Sequence, residues 1–446
     1  MSCNGVQTTQ PPAVAAPAET PSTPRAAPDS PPLRVLLLAS SYWPIIGGGE
    51  THSRLVAKTL ARHGVTVSVL TQRRLADSSP REMDGPVPIE RVGAPNRDRF
   101  GKHLIVPTVI RRLLARRAEY DVIYSCGMRA LGAAAVVAGK LAGKPVVLRS
   151  ESCEELSGRH MFEHLTGPWR VAGPLLRAAI VGRNLILRRA PSFMAISGTI
   201  AKEYRACGVP DAKVSIIYNG IDLSGYRPCA SEREKIELRS RLKLPADATL
   251  MTYTGKLNRG KGLEHLLEAM RQLAPRRPNL HLVLVGSGAH MATSVEPRLK
   301  SFVQQHQLED RVTFTGYRTD VVDFLQASDL FAMPSEMESL CISLIEALAC
   351  GLPSVACAVG GIPEVARHDE EALLVPPADP AALAQAIDRL LDDASLRARL
   401  VEAGQRRVAE CFDIESVAEQ HETLFRRLLS ARAGSPHTDL ADGRAA

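Results

Sequence analysis

The sequence predicts an α/β fold in which two doubly wound, Rossmann-like domains face each other across a cleft. The chain has 446 residues, a length that suits two domains of ordinary size better than one hydrophobic core. Short apolar, β-branched runs recur along it, separated by segments long enough to form a helix. This alternation is typical of βαβ units whose parallel strands are buried on both faces.

Twelve of these runs are the predicted strands, six in each half of the chain. In the first half they cover residues 34–39, 65–70, 122–124, 146–148, 193–196 and 214–218. In the second half they cover residues 250–254, 280–285, 312–315, 330–333, 354–356 and 373–375. We therefore expect a first domain at 33–222, a linker at 223–248 and a second domain at 249–411.

The two ends of the chain differ in composition from these domains. Residues 1–32 are rich in proline and alanine and poor in bulky apolar residues, which predicts a disordered tail, and residues 431–446 are expected to form another. The opening stretch lacks the apolar core of a secretory signal, and no run approaches the ~20 apolar residues that span a bilayer. Nine cysteines without a CxxC pair favour reduced thiols over a zinc site. We expect a cytoplasmic protein.

The net charge of +7 is concentrated in the first half, where residues 33–226 carry 28 Lys and Arg against 15 Asp and Glu. Two stretches interleave basic residues with Leu, Ile and Val. The basic residues are Arg97, Arg99, Lys102, Arg111, Arg112, Arg116, Arg117, Arg170, Arg177, Arg183, Arg188 and Arg189. Such helices either lie on anionic lipid or pack on their own sheet, and both interpretations stay open. A nucleic-acid role is disfavoured, because aromatic residues make up only 4% of the chain.

The strongest chemical signal is the glutamate pair Glu338 and Glu346, which comes after the predicted strand at 330–333. An apolar helix begins after Glu338 and contains Glu346. The amides of Leu340, Cys341 and Ile342 would then lie unpaired at the helix N-terminus, which is a ready phosphate site. Taken alone, two glutamates are more often solvated surface groups. The surrounding motifs favour a binding site instead.

A basic turn follows the predicted strand 250–254. Lys256 and Lys261 flank it, and Gly260 and Gly262 allow close approach of a ligand. Two lysines around such a turn can clamp a diphosphate. By itself the turn is weak evidence, since exposed lysines are usually only hydrated.

Glycine turns follow other strands. Gly47, Gly48 and Gly49 stand between the first strand and a helix, and they permit backbone approach to a phosphate or sugar. The turn is not G-x-G-x-x-G, and no acidic residue follows at the usual ribose position, so a nicotinamide-dependent enzyme is disfavoured. Gly288 and Tyr317 end two strands of the second half and line the same sheet edge.

In this order the motifs resemble retaining glycosyltransferase family 4, whose members have the two-domain GT-B fold. The family pattern of a glutamate, seven residues and a second glutamate fits Glu338 and Glu346. The other family-like stretches are 218–222, 255–262, 327–335, 360–364 and 374–377. The similarity covers most of residues 33–428, and it implies that a helix at 412–430 returns to the first domain.

The resemblance assigns roles on the donor side. It implies that Lys256 and Lys261 bind the donor diphosphate and that Glu338 contacts hydroxyls of the transferred sugar. Glu346 would hold the ribose, and Tyr317 would meet the base through its backbone. From the other domain, the glycines at 48 and 49 would come near the phosphates.

The sequence departs from the family pattern at two points. The common Glu-Gly-Phe-Gly is here Glu338-Ser-Leu-Cys341, which keeps the backbone donors but crowds the approach near Cys341. Many relatives have a histidine after the strand at 122–124 or 146–148, and none stands there in this chain. Glu151 is a candidate substitute on the acceptor side.

The resemblance implies a retaining, metal-independent hexosyltransferase. Its donor would be a UDP- or GDP-linked sugar, and its acceptor a lipid-linked glycan or a polysaccharide in cell-envelope synthesis. No cofactor is expected, because the nucleotide sugar is a substrate. If the basic helices of the first half lie on anionic lipid rather than on their own sheet, the protein would contact the inner face of the membrane peripherally. Two alternatives stay open: a GT-B sugar-nucleotide epimerase, and a pseudo-enzyme that binds nucleotide sugar as a scaffold.

Overall fold

The computed structural model describes residues 32–45, 47–75, 78–93, 105–158, 173–289 and 291–433, and two sheets form its framework. The predicted disordered tails lie outside the described residues, except for Pro32 and residues 431–433. None of the helices in the described ranges is long and apolar enough to cross a membrane.

The first sheet has eight strands in the order β3-β4-β2-β1-β5-β6-β7-β8. The strands are β1 (Arg34–Ala39), β2 (Thr66–Gln72), β3 (Arg81–Asp84), β4 (Val87–Val92), β5 (Val122–Cys126), β6 (Val146–Arg149), β7 (Ser192–Ala195) and β8 (Val214–Ile216). Its helices are α1 (Gly48–Arg62), α2 (Val106–Ala115), α3 (Ala130–Ala142), α4 (Gly173–Leu187) and α5 (Gly198–Ala206). All six strands predicted for this half are confirmed, within a few residues at their ends.

Burial on both faces explains why these strands read as continuous apolar runs. In β1, Leu36 and Leu38 belong to one core, whereas Val35 and Leu37 belong to the core on the opposite face. A parallel strand covered by helices on both sides needs an apolar residue at every position. The residues of β5 and β6 are also all buried, and they are apolar except for Ser125 and Arg149.

The hairpin β3–β4 is missing from the sequence prediction. It forms the antiparallel edge of the first sheet and turns at Gly85, whose φ is +63°. On β4, Val87 and Ile89 are buried, while their neighbours face outward. An edge hairpin with one solvated face alternates in polarity and carries charges, so it lacks the apolar run that marks a central strand.

The second sheet is wholly parallel, with six strands in the order β11-β10-β9-β12-β13-β14. They are β9 (Thr249–Thr254), β10 (Leu280–Val285), β11 (Val312–Gly316), β12 (Leu330–Met333), β13 (Ser354–Cys357) and β14 (Leu373–Val375). The helices are α6 (Glu232–Leu242), α7 (Leu263–Leu273), α8 (Glu296–Gln305), α9 (Val321–Ala327), α10 (Ile342–Ala349), α11 (Ile362–Val365), α12 (Pro380–Asp392) and α13 (Ala394–Cys411). All six strands predicted for the second half are therefore confirmed as well.

The segment expected to be a linker contains α6, which packs on the second domain. Leu238 lies in a core cluster with Val283 and Phe324, and Arg239 donates to the carbonyl of Ala327. The residues at 232–242 are mostly charged, because only one side of this helix is covered.

The last helix, α14 (Ile414–Ala433), returns to the first domain. Val417 and Phe425 on it are fully buried in the core that contains Val35. The helix runs to Ala433, so the tail that the sequence predicts from residue 431 begins too early. The chain passes between the domains twice, near Ile221 and near Phe412. The Ile221 amide donates to the Phe412 carbonyl at 2.8 Å and so joins the two connecting segments.

Candidate functional site

The candidate site residues follow strands of both sheets, at the edge where the carboxyl ends of the parallel strands lie. A Cβ at Gly48, the first residue of α1, would lie 3.6 Å from the Ile342 side chain at the start of α10. Across the same boundary, the Cys153 amide donates to the Ser339 hydroxyl at 3.0 Å. The starts of α1 and α10 therefore face each other across the cleft that the sequence predicts.

A lysine–glutamate pair lies beside the start of α10. Lys261 Nζ donates to Glu338 Oε1 at 2.6 Å, and the Ser335 hydroxyl donates to the same oxygen at 2.8 Å. Burial alone would lower the pKa of Lys261, but the Glu338 carboxylate outweighs it and raises that pKa. Lys261 is therefore a cation over the physiological pH range, and both side chains are largely covered.

The N-terminus of α10 presents free backbone donors beside this pair. The amides of Leu340, Cys341 and Ile342 have no acceptor within the part of the chain that the structure describes. Cys341 has φ 84° and ψ 74°, the left-handed region that favours glycine. A residue other than glycine in this conformation costs about 1–3 kcal/mol in strain.

Glu346 lies inside α10, partly buried, and is held by a residue from the expected linker. The Tyr226 hydroxyl donates to Glu346 Oε1 at 2.7 Å. Burial raises the pKa of Glu346 to about 7, and the bond from Tyr226 opposes this only in part. Glu346 can therefore accept or donate a hydrogen bond near neutral pH.

The other donor-side residues differ in what they offer. Lys256 is exposed at the end of β9 and has no ion-pair partner among the described residues. Tyr317 is 62% exposed directly after β11. The Gly288 amide already donates to Glu296 at 2.8 Å, and a Cβ at Gly288 would lie 2.6 Å from the Leu257 carbonyl. Gly288 thus permits close packing, and its amide is engaged within the protein.

On the first domain, Glu151 lies beside the glycine turn. A Cβ at Gly49 would lie 3.0 Å from the Glu151 carboxyl group. Burial raises the pKa of Glu151 to about 7, the buried Arg149 lowers it, and Glu155 and Glu50 raise it further. The side chain therefore stands in the cleft with a proton that it can exchange near neutral pH.

The sequence does not single out several residues that hold the candidate site residues in place. Ser335 and Ser339 hold Glu338 and the domain boundary, and Tyr226 holds Glu346. Ser335 and Ser339 flank Glu338 closely enough that proximity could have suggested them. Tyr226 lies 120 residues from Glu346, and no local pattern signals that contact.

The basic first half is partly neutralised within the domain. Arg112 and Arg116 both pair with Glu90, and Arg183 donates to the carbonyls of Glu155 and Leu156. These three arginines therefore serve the packing of their own domain. The predicted basic residues Arg97, Arg99, Lys102 and Arg170 lie outside the described residues.

An exposed face of α4 combines apolar and basic groups. Val181 and Leu185 are 58% and 54% exposed one turn apart, and Arg177 on the same helix is exposed, as are Arg188 and Arg189 directly after the helix. Separately, no cluster of three or more potential metal ligands occurs within the described ranges.

Two family models match the chain, one on each domain. The model for Glycosyltransferase Family 4 matches residues 46–224, and the model for Glycosyl transferases group 1 matches residues 234–407. The resemblance that the sequence motifs carry is confirmed by these matches.

Two curated relatives illustrate the similarity at the level of sequence. The chain is 28% identical to N-acetyl-alpha-D-glucosaminyl L-malate synthase of Bacillus anthracis over 53% of this chain and 59% of that protein. That match spans little more than half of the relative's length. A D-inositol 3-phosphate glycosyltransferase of Acidothermus cellulolyticus is 29% identical over 87% of each chain.

Solved structures share the architecture. A sucrose-phosphate synthase from Thermosynechococcus elongatus has a TM-score of 0.72 and 26% identity, and the match covers 90% of this chain and 100% of that one. An Anabaena protein in complex with UDP-glucose has a TM-score of 0.70 and 23% identity, over 90% of this chain and 100% of that one. The predicted GT-B fold is confirmed. With both domains matched by the family models, the chain belongs to the group 1, family 4 glycosyltransferases.

Proposed function

We propose that the protein is a retaining, metal-independent hexosyltransferase that uses a UDP- or GDP-linked sugar. The observation that carries this proposal is the Lys261–Glu338 pair, 2.6 Å apart at the N-terminus of α10 and opposite Gly48. A cation, free amides and a carboxylate then meet within one cleft. Those groups match the diphosphate and the sugar of a nucleotide sugar.

The donor would bind along the end of the second sheet. Lys261, Lys256 and the amides at the start of α10 would take the diphosphate, and Lys261 would exchange its bond to Glu338 for a phosphate oxygen. Glu338 would then be free to accept from sugar hydroxyls, while Ser335 keeps its carboxylate in position. Glu346 would accept from the ribose hydroxyls, because its partly buried carboxyl group lies about one turn into α10.

Retaining transfer asks for positioning and charge stabilisation rather than for a protein nucleophile. The leaving diphosphate gains negative charge as its bond to the sugar breaks, and preorganised donors lower the barrier to that step. The acceptor hydroxyl would attack from the same face, and its proton would pass to the leaving phosphate. Lys261 supplies the positive charge that this step needs, which supports a mechanism without a metal.

On the acceptor side, Glu151 would receive the acceptor hydroxyl. It lies where many relatives have a histidine, beside Gly49 and at the end of β6. With a pKa of about 7 for Glu151, its carboxylate form is available at and above neutral pH to accept a hydrogen bond.

The acceptor itself would be lipid-linked or a polysaccharide of the cell envelope, met at the inner face of the membrane. The exposed face of α4 supports this proposal, because Val181 and Leu185 lie between arginines. An apolar stripe flanked by cations suits the surface of an anionic bilayer. The described cysteines are all free, as a cytoplasmic location would require.

The test is a transfer assay with a panel of UDP- and GDP-hexoses and an envelope lipid extract as acceptor. We expect release of nucleoside diphosphate matched by a glycosylated product with the anomeric configuration of the donor, read by NMR. An inverted product would refute the retaining mechanism. Binding of the nucleotide sugar without acceptor-dependent release of nucleoside diphosphate would favour a scaffold. Conversion of the nucleotide sugar to its epimer would favour an epimerase.

A further inference from the structure

A glutamate of the second domain reaches across the cleft to a helix of the first. Glu364 lies on α11, and its Oε2 accepts from the Gly198 amide at 2.7 Å. Its Oε1 accepts from the Thr199 amide at 3.3 Å. These amides open α5, so they have no partner within the helix, and a carboxylate there is also favoured by the helix dipole.

Neighbouring groups complete this contact between the domains. The Thr199 hydroxyl donates to the Gly360 carbonyl at 3.0 Å, and the Tyr218 hydroxyl donates to Glu364 at 3.4 Å. A Cβ at Gly198 would lie 3.3 Å from the Glu364 carboxylate, so the approach is close. The carboxylate thus fills the gap between α5 and the loop at 360–361.

Glu364 is held firmly by its own domain. The guanidinium of Arg407 on α13 donates to the Glu364 carbonyl at 2.7 Å and to the Val365 carbonyl at 3.1 Å. A carboxylate whose backbone is tied in this way loses little freedom on bonding to α5. That makes the contact between the domains specific in geometry as well as in charge.

The same loop also carries the backbone of the donor-site glutamate. The Gly361 amide donates to the Glu338 carbonyl at 3.2 Å. A Cβ at Gly360 would lie only 1.7 Å from that carbonyl oxygen, so the two segments touch without any side chain between them. From the first domain, the Cys153 amide holds the next residue, Ser339. Glu338 is therefore held by the loop at 360–361 of its own domain and, through the neighbouring Ser339, by a contact that exists only while the domains are together.

We propose that Glu364 is a positioning residue that latches the cleft through the N-terminus of α5 and thereby fixes Glu338 for sugar transfer. This inference rests on the proposed function of Glu338. Glu364 contacts no residue assigned to the donor, so its loss should leave the donor groups of the second domain intact. It should instead shift the balance toward an open cleft in which Glu338 and the first domain no longer meet.

The test compares Glu364→Ala with Glu364→Gln and with Glu402→Ala. Glutamine keeps one oxygen that can accept from α5, so it should restore part of the activity. Glu402 lies exposed on α13 in the same domain and has no partner in the described ranges, so it is the matched control. We expect kcat to fall about tenfold or more in Glu364→Ala, the effect of losing one or more charge-assisted hydrogen bonds. The dissociation constant for UDP or GDP should change less than about threefold.

Small-angle scattering supplies a readout that does not depend on activity. With nucleoside diphosphate bound, Glu364→Ala should have a larger radius of gyration than wild type, and Thr199→Val should shift it in the same direction. The latch would be overturned if Glu364→Ala had the same kcat and radius of gyration as wild type. It would also be overturned if the variant lost nucleotide binding and activity in parallel. If the wild type transfers no sugar, the proposed function fails, while the scattering comparison still decides the latch.

Discussion

Replacing Glu346 by glutamine should stabilise the protein above neutral pH and weaken nucleotide binding. The partly buried carboxyl group has a pKa of about 7 because of burial, against 4.5 for an ordinary glutamate. The folded protein therefore holds this proton more tightly than the unfolded chain does. Stability falls as pH rises from about 4.5 to 7, since the unfolded chain releases the proton first.

The size of this effect follows from the two pKa values. At about 1.4 kcal/mol per pH unit, an ionised Glu346 costs on the order of 3 kcal/mol above pH 7. Glutamine carries no charge, and its amide oxygen can still accept from Tyr226. The urea midpoint of Glu346→Gln, followed by circular dichroism, should exceed that of wild type at pH 8 and coincide with it near pH 4.5.

The same variant separates stability from function. Because the amide is a weaker acceptor than a carboxylate, calorimetric titration should give about tenfold weaker nucleotide binding. Glu402→Gln, an exposed change in the same domain, should alter neither property. An unchanged or lower urea midpoint at pH 8 would refute the reasoning, since it would mean that Glu346 ionises without cost in the folded protein.

Two other outcomes test the first domain. The transfer rate of wild type should rise through about pH 7 as Glu151 ionises, because burial holds its pKa near that value, and Glu151→Gln should flatten the profile. Coincident profiles would leave Glu151 without an acceptor role. Flotation with anionic vesicles at low salt should be lost in the double variant Val181→Glu and Leu185→Glu, whereas Leu141→Glu on α3, where the side chain is 67% exposed, should still float. Equal flotation of both variants would remove α4 from the membrane proposal.

The sequence predicts the buried architecture well, because its physical signal is local. Central strands such as β1 are covered on both faces, and residues 35–39 of β1 read as an uninterrupted apolar run. The hairpin β3–β4 and the helix α6 are covered on one face only. Their sequences alternate or are charged, and the prediction assigns them to connecting segments.

The candidate site divides in the same way. Lys261, Glu338 and Glu346 lie in motifs whose spacing is visible along the chain, and the structure brings Lys261 and Glu338 into contact. The residues that hold them come from distant segments. Tyr226 and Glu364 meet their partners across more than one hundred residues, and only the folded chain reveals those contacts.

The donor site is tested most directly by titrating UDP- and GDP-linked hexoses into wild type and Lys261→Met. Lys140→Met is the control, because Lys140 is exposed in the last turn of α3. We expect one class of nucleotide sugar to bind wild type and the control equally, and to bind Lys261→Met at least tenfold more weakly, since a charge-assisted bond to the diphosphate is lost. Equal affinity for Lys261→Met, or no binding of any nucleotide sugar to wild type, would contradict the account.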